Sequence, residues 1–273
     1  MSGQHYCLRK MSRIESHIFL DMFQAISTDN DVMLQELLKE LNGLTHTSED
    51  CKIATRFLET KGVSLFRYAC MKNSHKCAKE LINAGLDVDL TVGSTNESLL
   101  MVAAFHDSLK TAEVLFEMGA DANATSDDGR NLIHHICCFP RVQSVNFAKL
   151  ILRNGFDIRN IHPNFFHGTF ISASSAPFSD TYKHLLTLLS AAGFKVDIPN
   201  TANVAIRDDL VAGGVVRDVP KNGPPNLIHL TRNAICEAVL EATNFPNMFC
   251  VDLAELHLPK TLQSFLLHDM TLW

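Results

Sequence analysis

Four near-identical phrases constrain the fold of this chain more than any other feature: L-I-N-A-G-L-D-V-D, L-F-E-M-G-A-D-A-N, L-I-L-R-N-G-F-D-I-R and L-S-A-A-G-F-K-V-D. Their glycines, Gly85, Gly119, Gly155 and Gly193, follow one another at intervals of 34, 36 and 38 residues. A glycine just past an amphipathic helix supplies the left-handed C-terminal cap that other residues adopt only at a cost. Ahead of the first three lie Ala78, Leu81 and Ile82; Ala112, Leu115 and Phe116; and Ala148, Ile151 and Leu152. That spacing puts each set on one helical face. A unit of this size cannot bury its apolar face alone and must stack on its neighbours. The pattern predicts an all-α solenoid of paired helices joined by hairpin loops.

Upstream of each phrase stands an opening helix: G-V-S-L-F-R-Y-A-C, N-E-S-L-L-M-V-A-A and G-R-N-L-I-H-H-I-C. These resemble the ankyrin phrase G-x-T-P-L-H-x-A-A at Gly62, Ala69, Ala103, Ala104, Gly129 and His134, and the glycine spacing is close to the ~33-residue ankyrin period. The Thr-Pro pair is replaced by Ser64-Leu65, Ser98-Leu99 and Asn131-Leu132, so a Ser or Asn cap is expected to start each helix. Repeats are expected at 60–92, 94–127 and 128–160, with a degraded unit at 165–199 and an irregular first one at 17–50. The array as a whole spans 17–199, after an N-terminal tail at 1–16.

The composition fits a folded core: 46% of residues are hydrophobic and 20% charged. A net charge of −6 disfavours nucleic acid and anionic lipid, which both attract a basic face. The first residues lack the apolar core of a secretory signal, and no apolar run reaches the ~18 residues of a membrane span. An intracellular, cytoplasmic protein is therefore expected, without excluding the nucleus, and its eight cysteines are expected to be reduced.

From 200 to 224 the repeat pattern gives way to glycine pairs and a Pro-Pro step, the composition of a linker. Two apolar constellations follow. The first, P-N-L-I-H-L-T-R-N-A-I-C-E-A-V-L, sets Leu227, Leu230, Ala234, Ile235 and Ala238 at three- and four-residue intervals. The second, L-A-E-L-H-L-P-K-T-L-Q-S-F-L-L, groups leucines around Pro259, which ends one element and pre-sets the start of another. Together they resemble a SOCS box at 225–268, followed by a short tail at 269–273. The chain thereby resembles the ankyrin repeat and SOCS box protein family over most of its length.

That resemblance implies a non-catalytic adaptor of a cullin-RING ubiquitin ligase. Leu227, Leu230, Thr231 and Ile235 would bind elongin C, paired with elongin B. Leu256, His257, Leu258, Pro259, Leu262 and Phe265, continuing into Leu266, would bind a cullin, cullin-5 by the same resemblance. Thr231 stands where the family commonly has Cys, and His257 where the first proline of the cullin motif belongs, which weakens the second contact. The rival reading is an ankyrin scaffold whose C-terminal helices merely cap the stack, with no ligase recruited.

Other constellations carry less. His134, His135, Cys137 and Cys138 crowd together but lack the second ligand pair of a structural zinc site. Cys70 with His75 or Cys77 has no orienting group of the kind a nucleophile needs, and Gly213-Gly214 lacks the rest of a phosphate loop. Neither cofactor nor metal is expected. Acids gather at the repeat tips, where Asp serves turns for local reasons. Stacked in a solenoid, Asp87, Asp89, Asp121, Asp127 and Asp128 would also form an acidic edge able to receive a basic protein substrate.

Overall fold

The computed structural model describes residues 17–43, 61–138, 141–160, 179–193, 227–251 and 258–266. The expected tails at 1–16 and 269–273 and the linker at 200–224 lie outside the described residues. The chain divides into two compact units, Met1–Asp121 and Ala122–Trp273. Both are built mostly of helix.

In the first unit three helix pairs follow one another: α1 (17–27) with α2 (Asp31–Gly43), α3 (Val63–Lys72) with α4 (His75–Asn83), and α5 (Leu99–Phe105) with α6 (Leu109–Glu117). The inner helices α3 and α5 pack on each other, as do the outer helices α4 and α6, and α2 packs on α4. Each helix buries the stripe its sequence period dictates. Leu65, Phe66, Ala69 and Cys70 of α3 are fully enclosed, and so are Cys77, Ala78 and Leu81 of α4. Burying each leucine or phenylalanine is worth about 1.5–3 kcal/mol. Ala69 and Ala103 leave room for helix to approach helix. The little strand among the described residues is one hairpin, β1 (Thr91–Val92) against β2 (Glu97–Ser98), with Thr91 opposite Ser98.

The glycine phrases fold as local chemistry requires. Gly85 sits at φ +102°. The Leu86 N–H reaches back to the Leu81 carbonyl at 3.2 Å and the Gly85 N–H to that of Ile82 at 2.9 Å, the pair of bonds that closes a Schellman motif. At Gly62 the reason for glycine is space, since a Cβ there would stand 2.7 Å from Leu86 Cδ2.

Helix starts differ in part from expectation. Ser98 Oγ accepts the Met101 N–H at 3.3 Å, and Asn131 Oδ1 accepts the His134 N–H at 3.2 Å, so these two cap as the sequence suggests. Ser64 does not. Helix α3 begins at Val63 after Gly62, with no side-chain cap, and Ser64 is already inside its first turn, exposed.

The outer helices take their caps from the preceding repeat. Neither Ser74 nor Ser108, the residues that precede α4 and α6, makes a side-chain cap bond. Asp29, in the left-handed region at φ 50°, instead accepts the Lys76 and Cys77 N–H groups at 3.1 and 3.2 Å through Oδ1. Asn73, at φ 57°, does the same for the Thr111 N–H at 3.1 Å. The turn inside one repeat thus satisfies the orphan donors of the next, and so fixes the register between them.

The second unit holds α7 (Leu132–Cys138), α8 (Ser144–Arg153), α9 (Ser179–Ala191), α10 (Leu227–Thr243) and α11 (Lys260–Leu266), with short 3-10 turns at Ile158–Asn160 and Met248–Cys250. Helix α8 packs between α7 and α9. Its buried face, Phe147, Ala148, Ile151 and Leu152, meets a leucine-rich α9 that encloses Leu185, Leu186, Leu188 and Leu189. The opening motif read at 168–177 lies outside the described residues. Among the described residues no helix is long and apolar enough to cross a membrane.

Asn73→Gly separates cap from backbone, because glycine keeps the left-handed turn and loses the amide. We expect it to cost about 1 kcal/mol in urea unfolding, and Asn73→Ala to cost more. An unchanged midpoint for the glycine variant would show that the inter-repeat cap contributes nothing.

Candidate partner-binding site

Helix α10 presents two faces. Arg232, Cys236 and Leu240, spaced every fourth residue, are 1%, 0% and 8% exposed. Thr231, Ala234 and Ala238 are exposed, and Ile235 and Val239 are half-buried on the flank. At 100° per residue, Leu227 and Leu230 fall in the same row as Thr231, Ala234 and Ala238, on the side opposite Cys236. The backbone of Leu227 and Leu230 is helical, while their side chains lie outside the described residues. Of the residues read as elongin-binding, the register therefore groups Leu227, Leu230 and Thr231, and sets Ile235 to one side.

Arg232, which the sequence reading missed, fixes this rotation. Its Nε donates to the Leu266 carbonyl at 2.9 Å, and Nη2 donates to Leu266 at 2.6 Å and to Ser190 at 2.8 Å. Leu266 is the last residue of α11 and Ser190 lies in the last turn of α9. Main-chain carbonyls at the negative ends of two helix dipoles thus receive the guanidinium. Burial lowers its pKa from the ordinary arginine value, opposed by the nearby Cys236 sulfur. The available signal was a cation on the i, i+4, i+8 row of a helix that is otherwise apolar there.

The segment after α10 closes the end of the neighbouring helices. Asn247, fully buried, donates from Nδ2 to the Leu152 and Phe156 carbonyls at 3.0 and 2.9 Å and accepts the Phe249 N–H at 2.8 Å. The Met248 N–H donates to Ala192 at 3.0 Å, and the Ile158 N–H to Pro246 at 3.3 Å. Gly193 lets α10 approach: a Cβ there would meet Leu240 Cδ1 at 3.0 Å and Ile158 Cδ1 at 3.2 Å. One face of α10 is therefore core to the last repeats, as a capping helix would be, while Thr231, Ala234 and Ala238 are exposed on the other side.

Among the residues read as cullin-binding, Leu258, Leu262 and Phe265 are half-buried and Pro259 is exposed. The Pro259 carbonyl accepts the Leu262 and Gln263 N–H groups at 2.9 and 3.0 Å, and Gln263 Nε2 donates to Leu258 at 2.9 Å. Pro259 starts α11, as its fixed φ favours. Leu256 and His257 lie outside the described residues.

All five tip acids are exposed: Asp87, Asp89 and Asp121 in the first unit, Asp127 and Asp128 in the second. Some of their oxygens hold the backbone. Asp87 Oδ1 accepts the Asp89 N–H at 3.0 Å, and Asp89 Oδ1 accepts the Asp121 N–H at 2.9 Å. Asp128 accepts the Ser126 hydroxyl and pairs with Arg130 Nε at 3.0 Å. The hydroxyl first, and then Arg130, hold its carboxyl below the usual range.

The histidine and cysteine clusters are packed into helices. His134 Nδ1 lies 2.8 Å from Asn131 Oδ1 and 3.1 Å from the Asn131 amide nitrogen. Among the described residues no three His, Cys, Asp or Glu side chains are grouped to hold a metal. Burial pushes the Cys70 thiol well up, and burial with the Asp29 and Asp31 carboxylates pushes Cys77 up to about 12. Neither carries the thiolate a nucleophile needs at neutral pH.

The family model for ankyrin repeats (3 copies) matches residues 22–126 and 68–162, which together cover just over half of the chain. The chain belongs to the ankyrin-repeat family. Among solved structures it is similar to the crystal structure of the human ASB11 ankyrin repeat domain, at 21% identity and a TM-score of 0.43. That match covers 61% of this chain and 68% of the other.

Arg232→Ala is expected to remove the donors to the Leu266 and Ser190 carbonyls and leave a cavity, costing roughly 1–3 kcal/mol. Urea unfolding measures the loss, and hydrogen exchange should localise it to α10 and α11. Wild-type stability in this variant would mean the guanidinium does not hold the helices together.

Proposed function

We propose that the chain is a substrate-recognition adaptor of an elongin BC–cullin-5 RING ubiquitin ligase and has no catalytic role of its own. The ankyrin repeats at 17–199 capture the protein to be modified, and a SOCS box at 225–268 engages elongin C, elongin B and the cullin. The observation that carries this reading is the outward side of α10. A helix that served only as a cap would turn its most apolar row inward. Here Arg232 is turned inward, while Thr231, Ala234 and Ala238 are exposed; in this reading they meet elongin C together with Leu227 and Leu230 of the same helix. Leu227 leads this set, and burying it in a partner is worth about 1.5–3 kcal/mol.

Such an adaptor works by proximity: it raises the effective concentration of substrate lysines near the ubiquitin-carrying enzyme. The tip acids Asp87, Asp89, Asp121, Asp127 and Asp128 are exposed as steering charges must be, and would favour a basic segment. A cytoplasmic location follows from the same role. The second reading, a scaffold that recruits no ligase, draws on the buried Arg232–Cys236–Leu240 stripe, which does close the core.

Leu227→Asp is expected to abolish co-purification with elongin C from cells while leaving the unfolding midpoint of the chain unchanged. Retained elongin C would sink the proposal, and a fall in stability without any elongin effect would favour the scaffold. For the cullin contact, His257→Pro should strengthen cullin-5 binding to the elongin-bound chain by about 0.4–1 kcal/mol, because proline removes freedom otherwise lost on docking. Titration by calorimetry measures this, and equal or weaker binding would refute the role given to His257.

A further inference from the structure

The first unit carries a cationic and aromatic face on its inner helices. Phe19 and Phe23 of α1 meet edge to face with centroids 4.8 Å apart, and Phe23 meets Tyr68 of α3 in the same way at 4.7 Å. Lys61 Nζ lies 5.4 Å from the Phe19 ring and Lys72 Nζ 5.6 Å from the Tyr68 ring. Arg67 stands exposed one turn before Met71. Met71 and Phe105 hold the same place in successive repeats, two residues before the left-handed Asn73 and Asp107, and are 38% and 37% exposed. Leu20 of α1 is 64% exposed.

The sign of this face is opposite to that of the chain, whose net charge is −6. Helices α3 and α5 contain no acid, and Asp21 of α1 lies two positions round the helix from the Phe19–Phe23 row. Among the described residues no carboxylate forms an ion pair with Lys61, Arg67 or Lys72. Ammonium groups lying over ring faces keep their N–H donors available, and the rings they cover stay dry and apolar. A face of this kind complements a segment in which carboxylates flank a large apolar side chain.

We propose that the inner face of α1 and α3, continuing to Phe105, is the contact surface for a partner segment rich in Asp and Glu with an aromatic or leucine anchor. This deepens the reading of the repeats as the partner-capturing half, and it is opposite in sign to the basic segment that the tip acids would steer.

The test is selection from a random peptide library displayed on phage against the immobilised full-length chain. Peptides combining acids with aromatic or leucine residues are expected, and the best of them should bind Lys61→Glu/Arg67→Glu/Lys72→Glu at least about tenfold more weakly, as three lost charge contacts imply. Should that variant misfold by circular dichroism, Arg67→Gln/Lys72→Gln provides the same comparison. Failure to enrich acid-bearing peptides, or equal binding of them to the charge variants, would overturn the proposal. So would a dimer of this chain that the same substitutions dissolve. Elongin C co-purification is read separately, so this proposal and the ligase reading can fail independently.

Discussion

A buried guanidinium that donates to main-chain carbonyls of two neighbouring helices is the interaction on which the C-terminal half of this structure depends. Taking Arg232 out of water is costly unless its donors are met. The Leu266 and Ser190 carbonyls, at the ends of α11 and α9, accept from it. One side chain thereby ties three helices together. This fixes the rotation of α10 about its axis. Once Arg232, Cys236 and Leu240 face inward, geometry leaves Thr231, Ala234 and Ala238 outside, the side on which the proposed partner would dock.

The same principle operates in the first unit on a smaller scale. An ankyrin-type pair has backbone donors at each helix start, and the serines that precede α4 and α6 make no side-chain cap bond. Asp29 and Asn73 supply the need from the preceding turn, at φ values that Asp and Asn tolerate better than most residues. Capping across repeats couples neighbours energetically, as a stack of individually unstable units requires. Negative or polar groups at these positions also suit the positive end of the outer-helix dipole.

How much of this was legible in the sequence follows from the range of each interaction. Gly85, Gly119 and Gly155 could be read because their role is set within six residues by a helix end. The caps at Ser98 and Asn131 could be read for the same reason. Ser64 could not be read as inside the helix, because α3 starts one residue earlier, in contact with Leu86 from farther along the chain. Asn247 and Arg232 were invisible because their partners are main-chain carbonyls 34 to 95 residues away, and carbonyls leave no mark in a sequence. The tip acids are exposed, and the bonds that Asp87 and Asp89 spend on the backbone emerge only in three dimensions. On α10, spacing showed an apolar pattern, and only the fold revealed that Arg232, Cys236 and Leu240 face the core.

The central claim is that Thr231, Ala234 and Ala238, exposed on α10, are covered by elongin C in the complex. Thiol labelling of the variants Thr231→Cys, Ala234→Cys and Ala238→Cys, localised by peptide mass spectrometry with and without the elongin B–elongin C pair, tests it directly. All three sites are expected to label rapidly in the free chain and to be protected when elongin is added, with Cys236 resistant in both states. Labelling that ignores elongin, or sites already blocked in the free chain, would contradict the claim.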